Sequence, residues 1–357
     1  MVVVLNSGSS SIKLSLFEQE ILVKHLLLEE VQDHEQELHK LLCTLNTTNI
    51  EYVAHRIVHG GSEFIKPTRI TQENIHKLKE LSHLAPLHNP ANIKGIEYFL
   101  KHYPTLVQIA VFDTAFHATL PKEAYLYAIP QEFEQKHHIR RYGFHGSSHA
   151  YLLNESAKML HKKTEETSLI TLHLGNGASI CAIQNGKSID TSMGMTPLEG
   201  LVMGSRSGDI DAGVILYLQK QLGLSPDEID TLLNKQSGLK GLCGTNDLRI
   251  IINSLEKEAK LALDIYVRRI KKYIGAYLAI LDDVDAIVFS GGVGEHSLHV
   301  RKKVLKGLEK FGILTDFEKN SKNEIIISQK DSPIKVFVLQ TDEEAEILQQ
   351  AKKVLDD

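Results

Sequence analysis

Three glycine-rich turns recur along the chain, and each follows directly on a short apolar run. They span Asn6 to Ser11, Gly175 to Gly177 and Gly291 to Glu295. Turns built from glycine and serine leave backbone N–H groups free of side-chain obstruction, and such groups bind phosphate oxygens. Three turns of this kind on one chain indicate that the protein binds a nucleotide.

Two arginines follow apolar residues and precede glycines. Arg56 lies shortly before Gly60 and Gly61, and Arg206 lies between Gly204 and Gly208. An arginine taken alone is more often a surface residue or a member of an ion pair. A planar guanidinium on a glycine-rich loop, however, is suited to bidentate binding of carboxylate or phosphoryl oxygens.

A second group of polar residues lies between these arginines. His145 and His149 have the i, i+4 spacing of zinc ligands on a helix, but Gly146 and two serines follow His145 and no glutamate lies in the pattern of a zinc protease. Metal ligation is therefore disfavoured. Asp113 follows an apolar strand, at the end where open α/β sheets bind ligands, although a simple helix cap is the plainer interpretation.

Two common nucleotide-binding motifs are excluded. Gly186-Lys187-Ser188 ends like a P-loop, but Cys181 stands where the first glycine belongs. The third turn is followed by Ser297 where a dinucleotide fingerprint needs its last glycine. A P-loop ATPase and a Rossmann dehydrogenase are both disfavoured.

Short strands and amphipathic helices must position these residues. The apolar patterns predict strands at 2–5, 12–17, 52–58, 107–112, 169–174, 179–184, 188–191, 284–289 and 334–340, and helices at 72–82, 89–102, 149–162, 255–282 and 342–355. Thr341 and the acids at 342–344 are typical of a capping box. The strand–turn–strand unit occurs twice, which predicts two similar lobes that close on a central cleft.

Size and charge narrow the class of protein. A chain of 357 residues with 42% hydrophobic residues suits two domains, and a net charge of −5 gives no basic footprint for nucleic acid or an anionic membrane. Three separate cysteines indicate neither a disulfide framework nor a thiolate zinc site. No segment resembles a signal peptide or a membrane span, so we expect a cytoplasmic protein that acts on small molecules.

Taken together, these segments resemble the acetate kinase family, which belongs to the superfamily of sugar kinases, Hsp70 and actin. The resemblance implies an α/β fold of two duplicated ribonuclease H-like (actin-like ATPase) lobes around a central cleft. It runs through nearly the whole chain and is carried by Asn6–Lys13, His55–Gly61, Leu84–Pro90, Phe112–His117, Tyr142–His149, His173–Gly177, the run 192–211 and Gly291–Glu295.

The family resemblance implies reversible, direct in-line phosphoryl transfer from ATP to acetate, which gives ADP and acetyl phosphate. Mg²⁺ is the implied metal, with Mn²⁺ as a potential substitute, and its implied ligands are Asn6 and Glu343. Arg56 matches the ligand of the acetate carboxylate. The implied methyl pocket consists of Val58, Leu87, Phe144 and Pro197, and the implied catalytic set of Asp113, His145 and Arg206. The residues implied for ATP are Lys13, His173, Leu174, Gly175, Asn176, Gly177, Asp247, Leu248, Arg249, Gly292, Val293, Gly294, Glu295 and His296.

Physical chemistry refines one of these roles. Acetate is already ionised at neutral pH, so it needs no general base, and we expect Asp113 to orient Arg206 or a metal-bound water. Two departures from the family pattern stand out: the segment between the first hairpin and Tyr52 is short, and His296 replaces the usual asparagine. We expect the change to His296 to alter contacts with the adenine or the ribose.

Two alternatives to an acetate kinase stay open. A propionate kinase is close, because one methylene is worth only about 1–3 kcal/mol of discrimination, although Val58 favours a short pocket. A non-catalytic nucleotide-binding regulator of the same superfamily is the alternative from another class. We expect lobes at 1–115 plus 341–357 and at 116–340, and the resemblance implies a homodimer.

Overall fold

The computed structural model describes residues 1–45, 49–86 and 88–356. Its first sheet has six strands in the order β3-β2-β1-β4-β6-β5. The strands are β1 (Val2–Ser7), β2 (Ser11–Glu18), β3 (Ile21–Glu29), β4 (Tyr52–Ile57), β5 (Thr68–Ile70) and β6 (Val107–Phe112). β1, β2 and β3 form an antiparallel meander, whereas β4 and β6 run parallel to β1.

The second sheet repeats this topology with five strands in the order β11-β10-β7-β8-β9. The strands are β7 (Leu169–Leu174), β8 (Ala178–Gln184), β9 (Lys187–Thr191), β10 (Ala286–Ser290) and β11 (Lys335–Val338). The first three strands again form an antiparallel meander, and β10 and β11 are parallel to β7. The duplication predicted from the sequence is confirmed.

Helices cover both sheets and fill the connections between strands. They are α1 (His34–Cys43), α2 (Ile75–Glu80), α3 (Asn89–His102), α4 (Lys122–Tyr125), α5 (Glu132–His137), α6 (Gly146–Leu160), α7 (Ala212–Leu222), α8 (Pro226–Lys235), α9 (Gly238–Cys243), α10 (Leu248–Asn253), α11 (Lys257–Ile280), α12 (Gly291–His296), α13 (Leu298–Leu305), α14 (Phe317–Ser321) and α15 (Glu343–Asp356). Among the helices described, none is both long and apolar enough to cross a membrane.

Strand alternation decides which helix each sheet face meets. In β1, Val3 and Leu5 pack in the cluster that contains Phe99 of α3, whereas Val4 packs on the opposite face with Ile347 of α15. In the second sheet, one face packs on α11 and the other on α6. The C-terminal helix thus lies on the first sheet, and it also contacts α6.

Several elements are missing from the sequence prediction. The short segment before Tyr52 contains β3, an edge strand with mostly exposed side chains, and α1. The region from α7 to α10 is helical, although no helix was predicted there. The predicted capping box at Thr341 is wrong, because the N–H of Ala345 donates to the Asp342 carboxylate at 2.9 Å and the Thr341 hydroxyl contacts Ser148.

Candidate active site

The ends of two parallel strands bring Arg56 and Asp113 together. β4 and β6 pair in register up to Ile57 and Phe112, so Arg56 and Asp113 lie at the same edge of the first sheet. Arg56 donates from Nε to Asp113 Oδ1 at 3.1 Å and from Nη2 to Oδ2 at 2.8 Å. Burial raises the pKa of Asp113, and the bidentate contact with Arg56 opposes that shift. The expectation that Asp113 orients Arg206 is wrong, since its partner is Arg56.

Glu343 joins this pair from the first turn of α15. Its Oε2 lies 3.5 Å from Arg56 Nη2. Burial opposes ionisation of Glu343, but the charge of Arg56, with smaller contributions from His173 and Lys13, holds its pKa below the ordinary value. Glu343 is therefore a carboxylate at neutral pH, and Arg56 lies between two acidic side chains.

His145 lies immediately before α6 in the left-handed backbone region, with φ 58°. Its Nδ1 is 2.8 Å from Ser179 Oγ, and its ring lies against that of His173 with the centroids 4.4 Å apart and the planes tilted by 31°. Burial, followed by the neighbouring histidines and the charges of Arg56 and Arg206, lowers the pKa of His145 well below its ordinary value. The imidazole is therefore neutral near pH 7.

Arg206 is positioned by a loop rather than by an ion pair. Its Nη1 donates to the carbonyl of Pro197 at 3.2 Å. No carboxylate forms a salt bridge with Arg206 within the described parts of the chain, and burial lowers the pKa of its guanidinium. A Cβ built on Gly177 would lie 3.6 Å from both Arg206 Nη1 and His145 Nε2. Gly177 therefore lies between the two side chains.

The nucleotide segments predicted from the sequence meet in one cavity of about 810 Å³. The predicted residues that line it are Gly175, Asn176, Asp247, Leu248, Arg249, Gly292, Val293 and His296. These segments are up to 121 positions apart in the chain, so only the fold brings them together. Asn176, which lines the cavity, directly precedes Gly177, so the cavity lies close to Arg206 and His145.

The other predicted nucleotide residues lie outside this lining. Leu174 and Gly294 are buried, and the Glu295 carboxylate accepts the N–H of Gly291 at 2.9 Å. His173 Nδ1 is 2.8 Å from Ser148 Oγ, and the His173 ring contacts that of His145. These four residues therefore belong to the segments that form the cavity but do not line it.

Lys13 and Asn6 lie opposite each other in the first hairpin. Lys13 forms a salt bridge with Glu344, which also accepts the Ser15 hydroxyl at 3.0 Å. Asn6, on β1, is partly buried. Glu343 and Glu344 are adjacent in α15, so this helix brings its acids to both the hairpin and Arg56.

The predicted methyl pocket is partly assembled. Val58 packs against the apolar cluster that contains Phe144, and its N–H donates to Asn92 Oδ1 at 3.1 Å. The Pro197 carbonyl accepts from Arg206 Nη1, so Pro197 lies next to Arg206. Leu87 lies outside the described residues.

The loop that carries Pro197 is anchored by a partly buried network that sequence reasoning missed. Glu199 accepts from Arg141 Nη2 at 2.5 Å and from the Tyr127 hydroxyl at 2.5 Å. Arg141 also donates to the carbonyls of residues 191–193. In the sequence, the signal that could have identified Arg141 is its position directly before the motif at 142–149.

Arg301 is a second residue that sequence reasoning missed. It is 0% exposed, and its Nη1 donates to the carbonyls of Gly294 and Glu295 at 2.8 Å. Asn320 and Asn323 accept its other N–H groups. A buried guanidinium therefore caps the carbonyl end of α12, whose residues Gly292, Val293 and His296 line the nucleotide cavity.

The close approach of Gly146 to Asp113 gives a first prediction. A Cβ on Gly146 would lie 2.1 Å from the Asp113 carbonyl oxygen, so Gly146→Ala must displace the strand end that carries Asp113. We expect a loss of about 1–3 kcal/mol in unfolding free energy, with a lower kcat/KM. Urea unfolding and steady-state kinetics measure both quantities.

Gly275 provides the matched control. A Cβ there would meet no described atom within 4 Å outside its own helix. Gly275→Ala should therefore stabilise the protein by about 0.5–1 kcal/mol and leave kcat/KM unchanged. Equal stability of the two variants would contradict the tight contact at Gly146.

Known proteins match the chain over nearly its whole length. The model of the acetokinase family matches residues 23–349. An acetate kinase of Sulfurimonas denitrificans is 50% identical, with 99% of each chain covered. The crystal structure of Porphyromonas gingivalis acetate kinase has a TM-score of 0.93 at 40% identity, and a propionate kinase from Francisella tularensis has 0.91 at 40%, each with 99% of both chains covered. The predicted fold class and resemblance are confirmed, and the chain belongs to the acetokinase family.

Proposed function

We propose that this chain transfers the γ-phosphoryl group of ATP to the carboxylate of acetate and releases ADP and acetyl phosphate. The turn from Gly175 to Gly177 carries this proposal. Its first two residues line the large cavity, and its last residue lies against Arg206 and His145. A nucleotide in the cavity would thus direct its phosphate chain toward the two side chains that stabilise phosphoryl transfer.

The cavity suits the nucleoside of ATP. Leu248 and Val293 offer apolar surface, and the glycines of two turns allow close approach of a ligand to the backbone. His296 lines the same cavity and is 76% exposed on its side chain, so it is available to the adenine or the ribose. Lys13, in the first hairpin, is the cation proposed for the phosphates.

Arg56 is the proposed ligand of acetate. Asp113 holds its guanidinium by two hydrogen bonds, which fixes the plane of the fork that meets a carboxylate. Val58, Phe144 and Pro197 would surround the methyl group. Asp113 is then a positioning residue, because the ionised acetate has no proton to remove.

Arg206 and His145 are the groups proposed to stabilise the transferred phosphoryl. Two anions must meet in this reaction, so opposing charge and hydrogen-bond donors at the γ-phosphoryl lower the barrier most. Arg206 has its charge free of carboxylates among the described residues, and His145 offers a neutral imidazole. Closure of the two lobes would exclude water and so limit ATP hydrolysis.

The residues proposed for the metal fit Mg²⁺. Glu343 offers an ionised carboxylate and Asn6 an amide oxygen, and Mg²⁺ prefers oxygen ligands with one or two carboxylates, water and substrate phosphates. In the described chain, no cluster of three or more His, Cys, Asp or Glu forms a cage for a metal ion. When bound, Mg²⁺ would neutralise phosphate charge. Mn²⁺ accepts the same ligands.

The acyl chain length is the finer point of the proposal, since a propionate kinase also has this fold. Val58→Ala should enlarge the methyl pocket by two carbons. We expect the ratio of kcat/KM for propionate to kcat/KM for acetate to rise about 10-fold, because one methylene in an apolar pocket contributes a discrimination of about this size. Acyl hydroxamate formation with acetate, propionate and butyrate measures it. A variant that keeps the wild-type preference would remove Val58 from the pocket.

The homodimer, the cytoplasmic location and the exact lobe boundaries stay predictions. For the homodimer we propose a contact at α7, where none of the described side chains is buried. The exposed apolar side chains there are Val214, Leu216, Tyr217 and Leu222. The alternative of a non-catalytic regulator is disfavoured, because the full-length matches are to kinases.

A further inference from the structure

A continuous chain of buried polar side chains leads to His145 from the interior of the second lobe. Thr171 Oγ1 is 2.7 Å from His149 Nδ1, His149 Nε2 is 2.9 Å from Ser179 Oγ, and Ser179 Oγ is 2.8 Å from His145 Nδ1. Thr171, His149 and Ser179 are each 0% exposed. We call Thr171, His149 and Ser179 the hydroxyl–histidine chain.

The local structure explains why these four residues meet. Thr171 on β7 and Ser179 on β8 point to the sheet face that packs on α6, the face that also carries Leu169 and Cys181. His145 directly precedes α6 and His149 lies four residues later, so both rings project toward that face. The i, i+4 spacing that resembled a zinc site therefore serves hydrogen bonding.

Both imidazoles of this arrangement are neutral at physiological pH. Burial is the main cause that lowers the pKa of His149 and of His145, and neighbouring histidines add to it. A neutral imidazole has one N–H donor and one acceptor nitrogen. Among the described residues, the Ser179 hydroxyl contacts these two rings and no other acceptor, so it must donate its buried proton to one ring and accept from the other. The hydrogen bonds therefore run in one of two directions along the chain.

Thr171 decides between the two directions. In the part of the protein that the structure describes, Thr171 Oγ1 has one hydrogen-bond contact, which is His149 Nδ1. If His149 Nδ1 were protonated, the Thr171 hydroxyl would be a buried donor without an acceptor, and such a donor is costly. Thr171 must therefore donate to Nδ1, so His149 donates from Nε2 to Ser179, and Ser179 donates to His145 Nδ1.

We propose that the hydroxyl–histidine chain fixes His145 in the tautomer that carries its proton on Nε2. This inference rests on the proposed function, in which that N–H donates to the transferred phosphoryl group. The opposite tautomer would present a lone pair to an anion and would repel it. Thr171, His149 and Ser179 are positioning residues, because they act through His145.

Nitrogen NMR of the histidine-labelled, ligand-free protein tests the tautomer directly. The His145 signals are assigned by their loss in His145→Gln. We expect a protonated Nε2 and an unprotonated Nδ1 in the wild-type protein. A protonated Nδ1 would overturn the inference, whatever the activity of the enzyme.

Ser179→Ala tests the connection to catalysis. It removes the donor to His145 Nδ1, so we expect a mixture of tautomers and a fall in kcat of about 10-fold or more, with both KM values near wild type. Loss of a complete donor at a transition state costs about 10²–10³ in kcat, which sets the upper limit. An unchanged kcat with an unchanged tautomer would overturn the inference.

Ser188→Ala is the matched control. Ser188 is also 0% exposed, and its Oγ lies 2.8 Å from Nδ1 of His117, outside the hydroxyl–histidine chain. We expect it to leave the His145 tautomer and kcat unchanged, and an equal loss of kcat in both variants would overturn the positioning role. A wild-type protein that forms no acyl phosphate would instead overturn the proposed function, since the tautomer is measured without substrates.

Discussion

Arg206→Ala is expected to lower kcat by about 10³–10⁵, equivalent to roughly 4–7 kcal/mol of transition-state stabilisation. The guanidinium is partly buried, has no carboxylate partner within the described residues and donates to the Pro197 carbonyl. The positive charge of Arg206 is therefore available to the phosphoryl oxygens. These oxygens are negatively charged and must approach the acetate anion during the transfer. Steady-state kinetics with saturating ATP and acetate measures the loss.

The stability of this variant separates catalysis from folding. Because Arg206 forms no buried ion pair among the residues described, its removal should change the unfolding free energy by less than about 1 kcal/mol. Arg206→Lys should recover only part of kcat, since an ammonium lacks the planar fork. The exposed Arg268 supplies the control, because Arg268→Ala removes one positive charge remote from the cleft. An equal loss of kcat in the two alanine variants would contradict a local role for Arg206.

Arg56→Ala is expected to raise the KM for acetate by about 10- to 100-fold, the value of a charge-assisted hydrogen bond. The KM for ATP should change little, because Arg56 lies outside the residues that line the nucleotide cavity. A second effect follows from the pair with Asp113. Removal of Arg56 leaves the Asp113 carboxylate buried without its partner, which costs about 3–5 kcal/mol of unfolding free energy.

The pH dependence of Arg56→Ala has a definite sign. Burial already raises the pKa of Asp113, and without Arg56 its main opposing charge is gone. The folded variant then binds a proton more tightly than the unfolded chain does, so its stability falls as pH rises above the ordinary carboxyl range. Urea unfolding should give a larger free energy at pH 5 than at pH 8.

Asp113→Asn tests the origin of this effect. In the Arg56→Ala background it removes the uncompensated Asp113 charge, so it should restore part of the stability and reduce the pH difference. Glu343 keeps a share of that difference, because Arg56 also lowers the pKa of Glu343. If the double variant keeps the pH dependence of Arg56→Ala, another group is responsible. If Arg56→Ala affects kcat but neither KM for acetate nor stability, Arg56 is not the carboxylate ligand.

The sequence predicts the parts of the site that follow strands. The apolar runs before Asn6, Gly175 and Gly291 become β1, β7 and β10, so the first two glycine-rich turns lie at strand ends as expected. The prediction of a third turn is wrong, because Gly291 to Glu295 form most of helix α12. The same reasoning places Asp113 after β6. Period-two alternation and glycine turns are local signals, so they need no knowledge of the fold.

Contacts across the fold could not be derived in this way. The partner of Asp113 is set by the register of β4 with β6, and the donor to His145 is set by the pairing of β7 with β8. α9 and α10 have only six residues each, which is too short for a clear hydrophobic period in the sequence. Arg301 gives no signal at all in the sequence, because its acceptors are mostly backbone carbonyls and amide side chains.

The most direct test of the account is the reaction itself. The purified chain is incubated with ATP, Mg²⁺ and acetate, and acetyl phosphate and ADP are measured in parallel. We predict equal amounts of the two products, and a rate at least about 10³ lower for Arg206→Ala. No acyl phosphate from acetate, propionate or butyrate, or the same rate in Arg206→Ala, would contradict the proposed phosphoryl transfer at this site.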